Sequence, residues 1–265
     1  MIALPAAQLA LGSLSGSLVG FTLGLIGGGG SVLAVPLMVY LVGVSSPHVA
    51  IGTSAVAVAV NAAANLANHA RAGHVKWPCA VVFAAAGIVG AFAGSTFGKM
   101  IDGQKLLLLF ALVMIIIGIL MLRRRSGDGN LSVVLNRDNL VPLLAFGFGG
   151  GALSGFFGIG GGFLIVPALM FATGMPILFA IGSSLVSVTA FGLTTAANYA
   201  ASDLIDWPLA LVFLAAGVVG GLVGARLATN LSAKRGALNK IFAIMIFAVA
   251  AYMMYRSWTA LGHAA

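Results

Sequence analysis

Charged side chains are scarce in this sequence. Only 7% of its 265 residues are Asp, Glu, Lys or Arg, whereas 61% are hydrophobic, and the mean hydropathy is +1.13. A soluble domain carries about 25% charged residues, so this composition excludes an ordinary soluble protein. Apolar runs of about 20 residues, the length that crosses the hydrocarbon core of a bilayer, recur along the chain. The sequence therefore predicts an all-α polytopic membrane protein, surrounded by the lipid bilayer.

Acidic residues are missing from the apolar runs. The five that the sequence contains all lie in predicted loops, at Asp102, Asp128, Asp138, Asp203 and Asp206. Proton and sodium coupling generally rely on carboxylates inside the membrane, so their lack argues against cation transport and favours an anionic solute. Export of an anion is driven by about 2.3 kcal/mol per charge per 100 mV and would need no coupled ion. Coupling through His69 or through ions held by the backbone stays open.

Cysteine is almost absent as well. Cys79 is alone, which excludes an internal disulfide and a thiolate metal cluster. The four histidines, His48, His69, His74 and His263, form no metal-ligand pattern with carboxylates or thiols. The sequence also contains no nucleophile–base–acid set and no cofactor motif. We therefore predict that the protein is not an enzyme and holds no cofactor or metal.

Glycine, by contrast, is abundant, with 37 residues, and its densest cluster occurs twice. Residues 23–36 read LGLIGGGGSVLAVP, and residues 154–167 read SGFFGIGGGFLIVP. Such clusters interrupt helices, and interrupted backbone inside a bilayer is tolerated only against protein or a water-filled cavity. A nucleotide-binding loop is rejected because no βαβ unit surrounds either cluster. We therefore expect the functional site at these two glycine clusters.

The repetition extends well beyond the glycines. The matching positions include Ile51–Ser54 with Ile181–Ser184, Asn68 with Asn198, and Trp77-Pro78 with Trp207-Pro208. So many matches in register indicate two homologous halves. We predict a first transmembrane repeat over residues 1–122, a basic linker over 123–139 and a second repeat over 140–265.

Each half contains about five apolar segments. They lie near residues 4–26, 30–45, 48–70, 78–98 and 105–122, and near 140–158, 161–174, 177–201, 208–228 and 238–256. The second segment of each half is short and carries a proline, Pro36 or Pro167. It either spans the membrane or forms a re-entrant hairpin with the first segment. The prediction is thus about 8–10 transmembrane segments with glycine-rich helix breaks or re-entrant hairpins.

Basic residues indicate the sidedness of the loops. Cytoplasmic loops are enriched in Lys and Arg, which places the arginine-rich linker and the loop with Arg71 and Lys76 inside the cell. The matching loop of the second half carries Asp203 and Asp206 and should face out. Equivalent loops on opposite sides predict an inverted repeat, a common architecture of secondary transporters. Both termini would then lie outside an inner (plasma) membrane, and the net charge of +8 reflects topology rather than nucleic-acid binding.

Anion capture is the chemistry that suits the glycine clusters. Backbone N–H groups and the positive end of a helix dipole converge where a helix begins after a break, although a tight turn for close packing would look similar. Hydroxyls just after Gly52 and Gly182 could donate to an anion, cap a helix or bond back to the preceding turn. Amides on the apolar helices either bond to other helices or line a water-filled path. The predicted binding residues are Gly27, Gly29, Gly30, Ser31, Thr53, Ser54, Asn65, Gly158, Gly160, Gly161, Gly162, Ser183, Ser184 and Asn198.

The repeated glycine signature over Gly24–Pro36 and Gly155–Pro167, with the Ile-Gly-Thr/Ser-Ser segment that follows each copy, resembles the sulfite exporter TauE/SafE family, also called the toluene-sulfonate uptake permease family. The resemblance implies an inner-membrane permease that moves small sulfur anions such as sulfite, sulfoacetate or other organosulfonates. We expect the anion between the two glycine clusters at the membrane midplane. An anion channel and a membrane scaffold or maturation subunit are the alternatives, and a homo-oligomer is left open.

Overall fold

The computed structural model describes residues 6–123, 130–158, 162–232, 244 and 247–256, and the regular structure in these ranges is entirely helical. The helices are α1 (Ala6–Ile26), α2 (Ala34–Pro36), α3 (Pro47–Arg71), α4 (Trp77–Gly98), α5 (Gly103–Arg123), α6 (Arg137–Phe157), α7 (Gly162–Thr173), α8 (Ile177–Ala200) and α9 (Trp207–Ser232). Residues 247–256 are also helical. The predicted all-α class is confirmed.

Six of the described helices are long and apolar enough to cross a membrane, namely α1, α3, α4, α6, α8 and α9. Three shorter apolar stretches accompany them, at Ser31–Leu41, Gly103–Ile116 and Leu164–Thr173. The 12 residues of α7 cover only about 18 Å, which is too short to cross about 30 Å of hydrocarbon. The described part of the chain thus contains full-length and short apolar helices together, as the polytopic prediction requires.

The helix breaks lie where the glycine clusters predict them. Gly27 has a φ of +68° and ends α1, and a 3₁₀ segment, Gly27–Leu33, follows. Gly158, with a φ of +67°, ends α6, and its N–H bonds to the carbonyls of the last turn. Left-handed backbone of this kind favours glycine because a Cβ would clash with the following carbonyl. Glycine at these two positions therefore determines where α1 and α6 stop.

Glycine residues also form the close backbone contacts of two helix pairs, α1 with α9 and α4 with α6. A Cβ on Gly20 would overlap the carbonyl oxygen of Gly217, and a Cβ on Gly151 would overlap that of Gly87. Small residues at such contacts let helix backbones touch directly inside a membrane. The two contacts occur at matching positions of the sequence repeat. The first long helix of each predicted half therefore packs on the helix of the other half that begins with Trp-Pro.

Helices α3 and α8 lie antiparallel between these pairs. Gly192 in the middle of α8 lies against Ala55 and Ala59 of α3. The beginning of α3 contacts the residues that follow α8, and the beginning of α8 contacts those that follow α3. Because these contacts are reciprocal, the two sequence halves interlock instead of lying side by side.

The chain between α5 and α6 contains the predicted basic linker. Helix α5 ends at Arg123, and α6 begins at Arg137 behind an Asn136–Asn139 capping box. Residues 124–129, which include Arg124 and Arg125, lie outside the described residues. The division into 1–122, 123–139 and 140–265 and the inverted orientation of the halves stay predictions.

Candidate functional site

The first glycine cluster packs against the beginning of α8. A Cβ on Gly27 would lie 2.8 Å from the carbonyl oxygen of Ile181, and a Cβ on Gly182 would overlap that of His74. Two residues past Ile181, the Ser183 hydroxyl oxygen accepts the backbone N–H of Lys76 at 2.9 Å. We call this meeting of Gly27, residues 181–184 and the loop after α3 the first junction.

The second glycine cluster makes the same contacts in reverse. A Cβ on Gly158 would overlap the side chain of Ile51, and the Thr53 hydroxyl oxygen accepts the backbone N–H of Asp206 at 2.9 Å. We call this meeting of Gly158, residues 51–54 and the loop after α8 the second junction. Each junction thus joins the glycine break of one half to the Ile-Gly-Thr/Ser-Ser segment of the other.

The four predicted hydroxyls are completely buried and serve two different roles. Ser54 donates to the carbonyl of Ile51 at 3.0 Å, and Ser184 donates to that of Ile181 at 2.7 Å. These are bonds to the preceding turn of the same helix. Thr53 and Ser183 instead accept backbone N–H groups, and a hydroxyl that accepts keeps its own proton available for donation. Thr53 and Ser183 are therefore better placed than Ser54 and Ser184 to donate to an anion.

The two junctions lie at opposite ends of the α3–α8 pair. Ser183 is near the start of α8, Thr53 contacts the residues after its end, and the helix has 24 residues. At 1.5 Å per residue, roughly 25 Å separates the two hydroxyls. One small oxyanion can therefore contact only one of these two hydroxyls at a time in this conformation, and its predicted place between the two glycine clusters stays a prediction.

The other predicted glycines and serine lie in or beside the breaks. Gly29, Gly30 and Ser31 belong to the 3₁₀ segment, where Ser31 is fully buried. Gly162 is the first residue of α7. Gly160 and Gly161 lie outside the described residues. The described positions lie at or next to helix breaks, and their role in binding stays a prediction.

Asn65 belongs to α3, and its side chain is buried against α1 and α9. Its Nδ2 donates to the carbonyl of Asn61 at 2.9 Å, and its Oδ1 finds no partner among the described residues. A Cβ on Gly24 or Gly221 would lie 3.0 Å from that oxygen. Leaving a buried acceptor unpaired costs about 1–3 kcal/mol. Asn65 therefore has an unused acceptor inside the bundle.

Asn198 has a fully bonded side chain instead. Its Nδ2 donates to the hydroxyls of Ser95 at 2.6 Å and Thr96 at 3.0 Å. Its Oδ1 accepts from the ammonium of Lys99 at 2.8 Å, and the same ammonium donates to the Ser202 hydroxyl at 2.8 Å. We call these five residues the Lys99 cluster. It ties the end of α4 to the end of α8.

A cavity of about 220 Å³ lies at the end of α3, and the sequence did not predict it. It is lined by Asn68, His69, Ala72, His74, Leu222, Ala225 and Arg226. His69 Nε2 lies 3.5 Å from the carbonyl oxygen of Gly24, and burial lowers the pKa of His74 below its usual value. The asparagines at helical spacing on α3 are the signal in the sequence that points to this region.

Metal binding has no visible basis in the described part of the chain. Among those residues, no group of three or more His, Cys, Asp or Glu side chains is placed to hold an ion. The candidate site therefore consists of hydroxyls, amides, imidazoles and backbone groups, which bind solutes by hydrogen bonds and charge.

A family model described as "Sulfite exporter TauE/SafE" matches residues 13–253, which is nearly the whole chain. The chain belongs to this family. The resemblance that the glycine signature carries is confirmed, and this TauE/SafE protein is a multi-pass membrane transporter with apolar helices in contact with lipid. The family and its named relatives are membrane transporters rather than enzymes, and membership implies a small solute as the substrate.

Relatives in distant microorganisms carry similar names. A "Probable membrane transporter protein" of Xylella fastidiosa (strain Temecula1) is 55% identical over 253 residues, which cover 93% of this chain and 95% of the relative. "Probable membrane transporter protein YdhB" of Bacillus subtilis is 26% identical, with 85% and 92% covered. A "Probable membrane transporter protein" of Haemophilus influenzae is 28% identical, with 92% and 97% covered. No solved structure matches this chain.

Proposed function

We propose that this transporter is a permease for small sulfur-containing anions such as sulfite, sulfoacetate or other organosulfonates. The observation that carries the proposal is the doubled junction, in which a glycine break meets a buried hydroxyl that keeps its proton available. The family description supports this class of solute, and so does the lack of Asp and Glu in the interior of the membrane-spanning helices, where Asp138 lies only in the first turn of α6. An anion then meets donors and no fixed negative charge along the apolar helices.

Each junction holds the anion in turn. Backbone N–H groups at the glycine break and the hydroxyl of Ser183 or Thr53 donate to its oxygens. Because the junctions are reciprocal, a rocking motion of one half against the other closes one junction as it opens the other. Inverted-repeat transporters alternate access in this way around sites at the interface of their halves.

The two junctions differ in charge, which makes their affinities for an anion unequal. The first junction lies beside His74 and Lys76. The second junction lies beside Asp206, and Gly52 in it packs against the carbonyl oxygen of Leu204 in the same loop. An anion is therefore captured more readily at the first junction. By the positive-inside rule we assign that junction to the cytoplasmic side of an inner membrane, with both termini outside. The membrane potential then drives the anion outward.

Flux into proteoliposomes tests the proposal. The purified full chain is reconstituted under a clamped potassium-diffusion potential, and flux of sulfite, sulfoacetate, taurine, sulfate, acetate and chloride is compared. We expect saturable, potential-dependent movement of sulfite or a sulfonate, exchange between labelled and unlabelled solute, and no movement of acetate or chloride.

Two results assign the protein to a different class. Flux that does not saturate, without exchange between labelled and unlabelled solute, identifies an anion channel. No flux of any sulfur anion through folded protein, together with a stably co-purifying partner, identifies a scaffold or maturation subunit. The oligomeric state of the active fraction is read from the same preparation by size-exclusion chromatography with light scattering.

A further inference from the structure

One face of α3 carries polar side chains through the interior of the bundle. Asn61, Asn65 and His69 follow one another at intervals of four residues, so they share a face of the helix. All three are at most 2% exposed. Within the described part of the chain, both side-chain polar atoms of Asn61, the Oδ1 of Asn65 and the Nδ1 of His69 have no hydrogen-bond partner. We call these three residues the α3 polar face.

Among the described residues, the amides of this face do not hold helices together by hydrogen bonds, whereas His69 Nε2 contacts the carbonyl oxygen of Gly24 on α1 at 3.5 Å. Asn61 lies against Gly217 and Asn65 lies against Gly221, and both glycines belong to α9. The one side-chain bond of Asn65 is to its own helix, and Asn61 makes none with any residue that the structure describes. Buried polar atoms in native proteins nearly always have a protein or water partner. The partner of the α3 polar face is therefore water or a solute.

The cavity at the end of α3 leads to this face. His69 belongs to both, and His74 and Arg226 line the cavity further along. A volume of about 220 Å³ holds a small oxyanion with a few waters, since a water molecule occupies about 30 Å³. The guanidinium of Arg226 supplies a positive charge at the opening, and no Asp or Glu lines the cavity. The lining thus favours an anion over a cation.

The second half is filled at the position that corresponds to Asn61 and closed at the position that corresponds to Asn68. Phe191 replaces Asn61 in the repeat, and its ring stacks on that of Phe83 with centroids 6.3 Å apart. A Cβ on Gly87 would overlap the Phe191 ring. The position equivalent to Asn68 is Asn198, which the Lys99 cluster occupies with hydrogen bonds. Thr195 and Tyr199, which match Asn65 and His69, are also buried and have hydroxyls without a hydrogen-bond partner among the described residues. The two halves therefore differ at the Phe191 stack and at the opening, where the Lys99 cluster takes the place of the cavity beside Asn68.

We propose that a small oxyanion or sulfonate binds along the α3 polar face, which it reaches through the cavity lined by His74 and Arg226. This inference rests on the proposed function, because it names the path by which that substrate reaches the first junction. It also assigns the path to one half of the molecule, although the sequence repeat would suggest two equivalent paths.

Thiol labelling tests the path without requiring transport. In a Cys79→Ala background, Asn65→Cys is compared with Thr195→Cys, the matching position in the second half. The purified full chain in detergent is treated with 2-sulfonatoethyl methanethiosulfonate, itself a small sulfonate, or with the cationic trimethylammonium analogue. Rates are corrected for the reactivity of each reagent with a free thiol. We expect the anionic reagent to label Asn65→Cys about tenfold faster than the cationic one, and Thr195→Cys to react slowly with both.

A second pair of variants keeps the test valid if Asn65→Cys does not fold. Asn61→Cys and Phe191→Cys provide the same comparison one turn further in, and monodisperse elution establishes folding for each variant. Arg226→Gln should reduce the preference for the anionic reagent at Asn65→Cys while leaving the rate with the cationic reagent similar or higher. Sulfoacetate added before the reagent should slow the labelling of Asn65→Cys, because it occupies the same path. Loss of this protection in the Arg226→Gln background supports the same assignment.

Two outcomes overturn the proposal. One is equal labelling of the α3 positions and their counterparts in the second half. The other is equal rates with the anionic and cationic reagents at Asn65→Cys. A failed proposed function looks different, because selective anionic labelling of Asn65→Cys would persist in a protein whose proteoliposomes show no sulfur-anion flux.

Discussion

The hydroxyl oxygen of Thr53 lies 2.9 Å from the backbone nitrogen of Asp206 and accepts its hydrogen bond. The two residues are 153 positions apart, so the bond joins the beginning of α3 to the residue just before α9. Ser183 accepts from Lys76 in the corresponding place at the other end of the bundle. These two bonds connect the two junctions directly to the loops that carry Lys76 and Asp206.

Removing the Thr53 hydroxyl should destabilise the protein. In Thr53→Val the N–H of Asp206 loses its acceptor, and an unpaired buried donor costs about 1–3 kcal/mol. Thr53→Ser keeps the oxygen and should lose much less. Thermal unfolding in detergent, followed by light scattering, measures both variants. Equal midpoints for the valine and serine variants would show that the hydrogen bond does not stabilise the fold.

A methyl group on Gly151 should prevent α6 from packing on α4. The new Cβ would overlap the carbonyl oxygen of Gly87, and overpacking of this kind costs about 1–3 kcal/mol or more. Gly149→Ala on the same helix is the control, since its Cβ would meet nothing within 4 Å. We expect a large loss of monodisperse protein for Gly151→Ala and none for Gly149→Ala. Similar yields from the two variants would contradict the close backbone contact.

The hydroxyl of Ser183 provides a direct test of anion binding at the first junction. Ser183→Ala should raise the KM for the transported sulfur anion, because the hydroxyl that keeps its proton available for donation is lost. Loss of a hydrogen bond to a charged group corresponds to about 1.5–3 kcal/mol, or at least about tenfold in KM. Ser184→Ala is the control, since the Ser184 hydroxyl donates to the carbonyl of Ile181 on its own helix, and its KM should stay close to that of the unmodified protein. Equal KM values for the two variants would remove the Ser183 hydroxyl from the binding site.

The Lys99 cluster should limit the access of small reagents to the interior of the second half, because it joins the end of α4 to the end of α8. In Lys99→Met, Asn198 and Ser202 lose the ammonium that joins them, and the end of α4 separates more easily from the end of α8. We expect faster labelling of Thr195→Cys by small thiol reagents in the Lys99→Met background than with Lys99 present. Lys105→Met, on the exposed first turn of α5, is the matched charge control. No difference between the two backgrounds would exclude this role.

His74 should make stability depend on pH. Burial lowers the pKa of His74, so the unfolded chain takes up its proton first as the pH falls below the usual histidine value of about 6.5. The stabilisation is therefore present above that pH and is lost as the pH falls through the lowered pKa of the folded state. The thermal midpoint should fall less on acidification in His74→Gln than in the unmodified protein. The same pH dependence in both would assign the effect to other groups.

The local sequence pattern was sufficient for the class, the segments and the breaks of this protein. Runs of apolar residues predict membrane helices because the bilayer excludes unpaired backbone groups, whatever the neighbours are. Glycine at 27 and 158 predicts the ends of α1 and α6 because only the local backbone conformation is involved. The repeat in the sequence likewise predicts that both breaks share one pattern of contacts.

Only the tertiary structure decided which side chains meet. Thr53 and Ser183 are alike in sequence, yet they lie at opposite ends of an antiparallel helix pair, beside loops of different charge. Asn198 resembles Asn68 in the repeat, but Lys99 bonds to the first and a cavity opens beside the second. These environments arise from residues about 100 or more positions away, whose approach depends on how the whole chain packs. A sequence pattern, which reports propensity and burial along a single segment, contains no information about that approach.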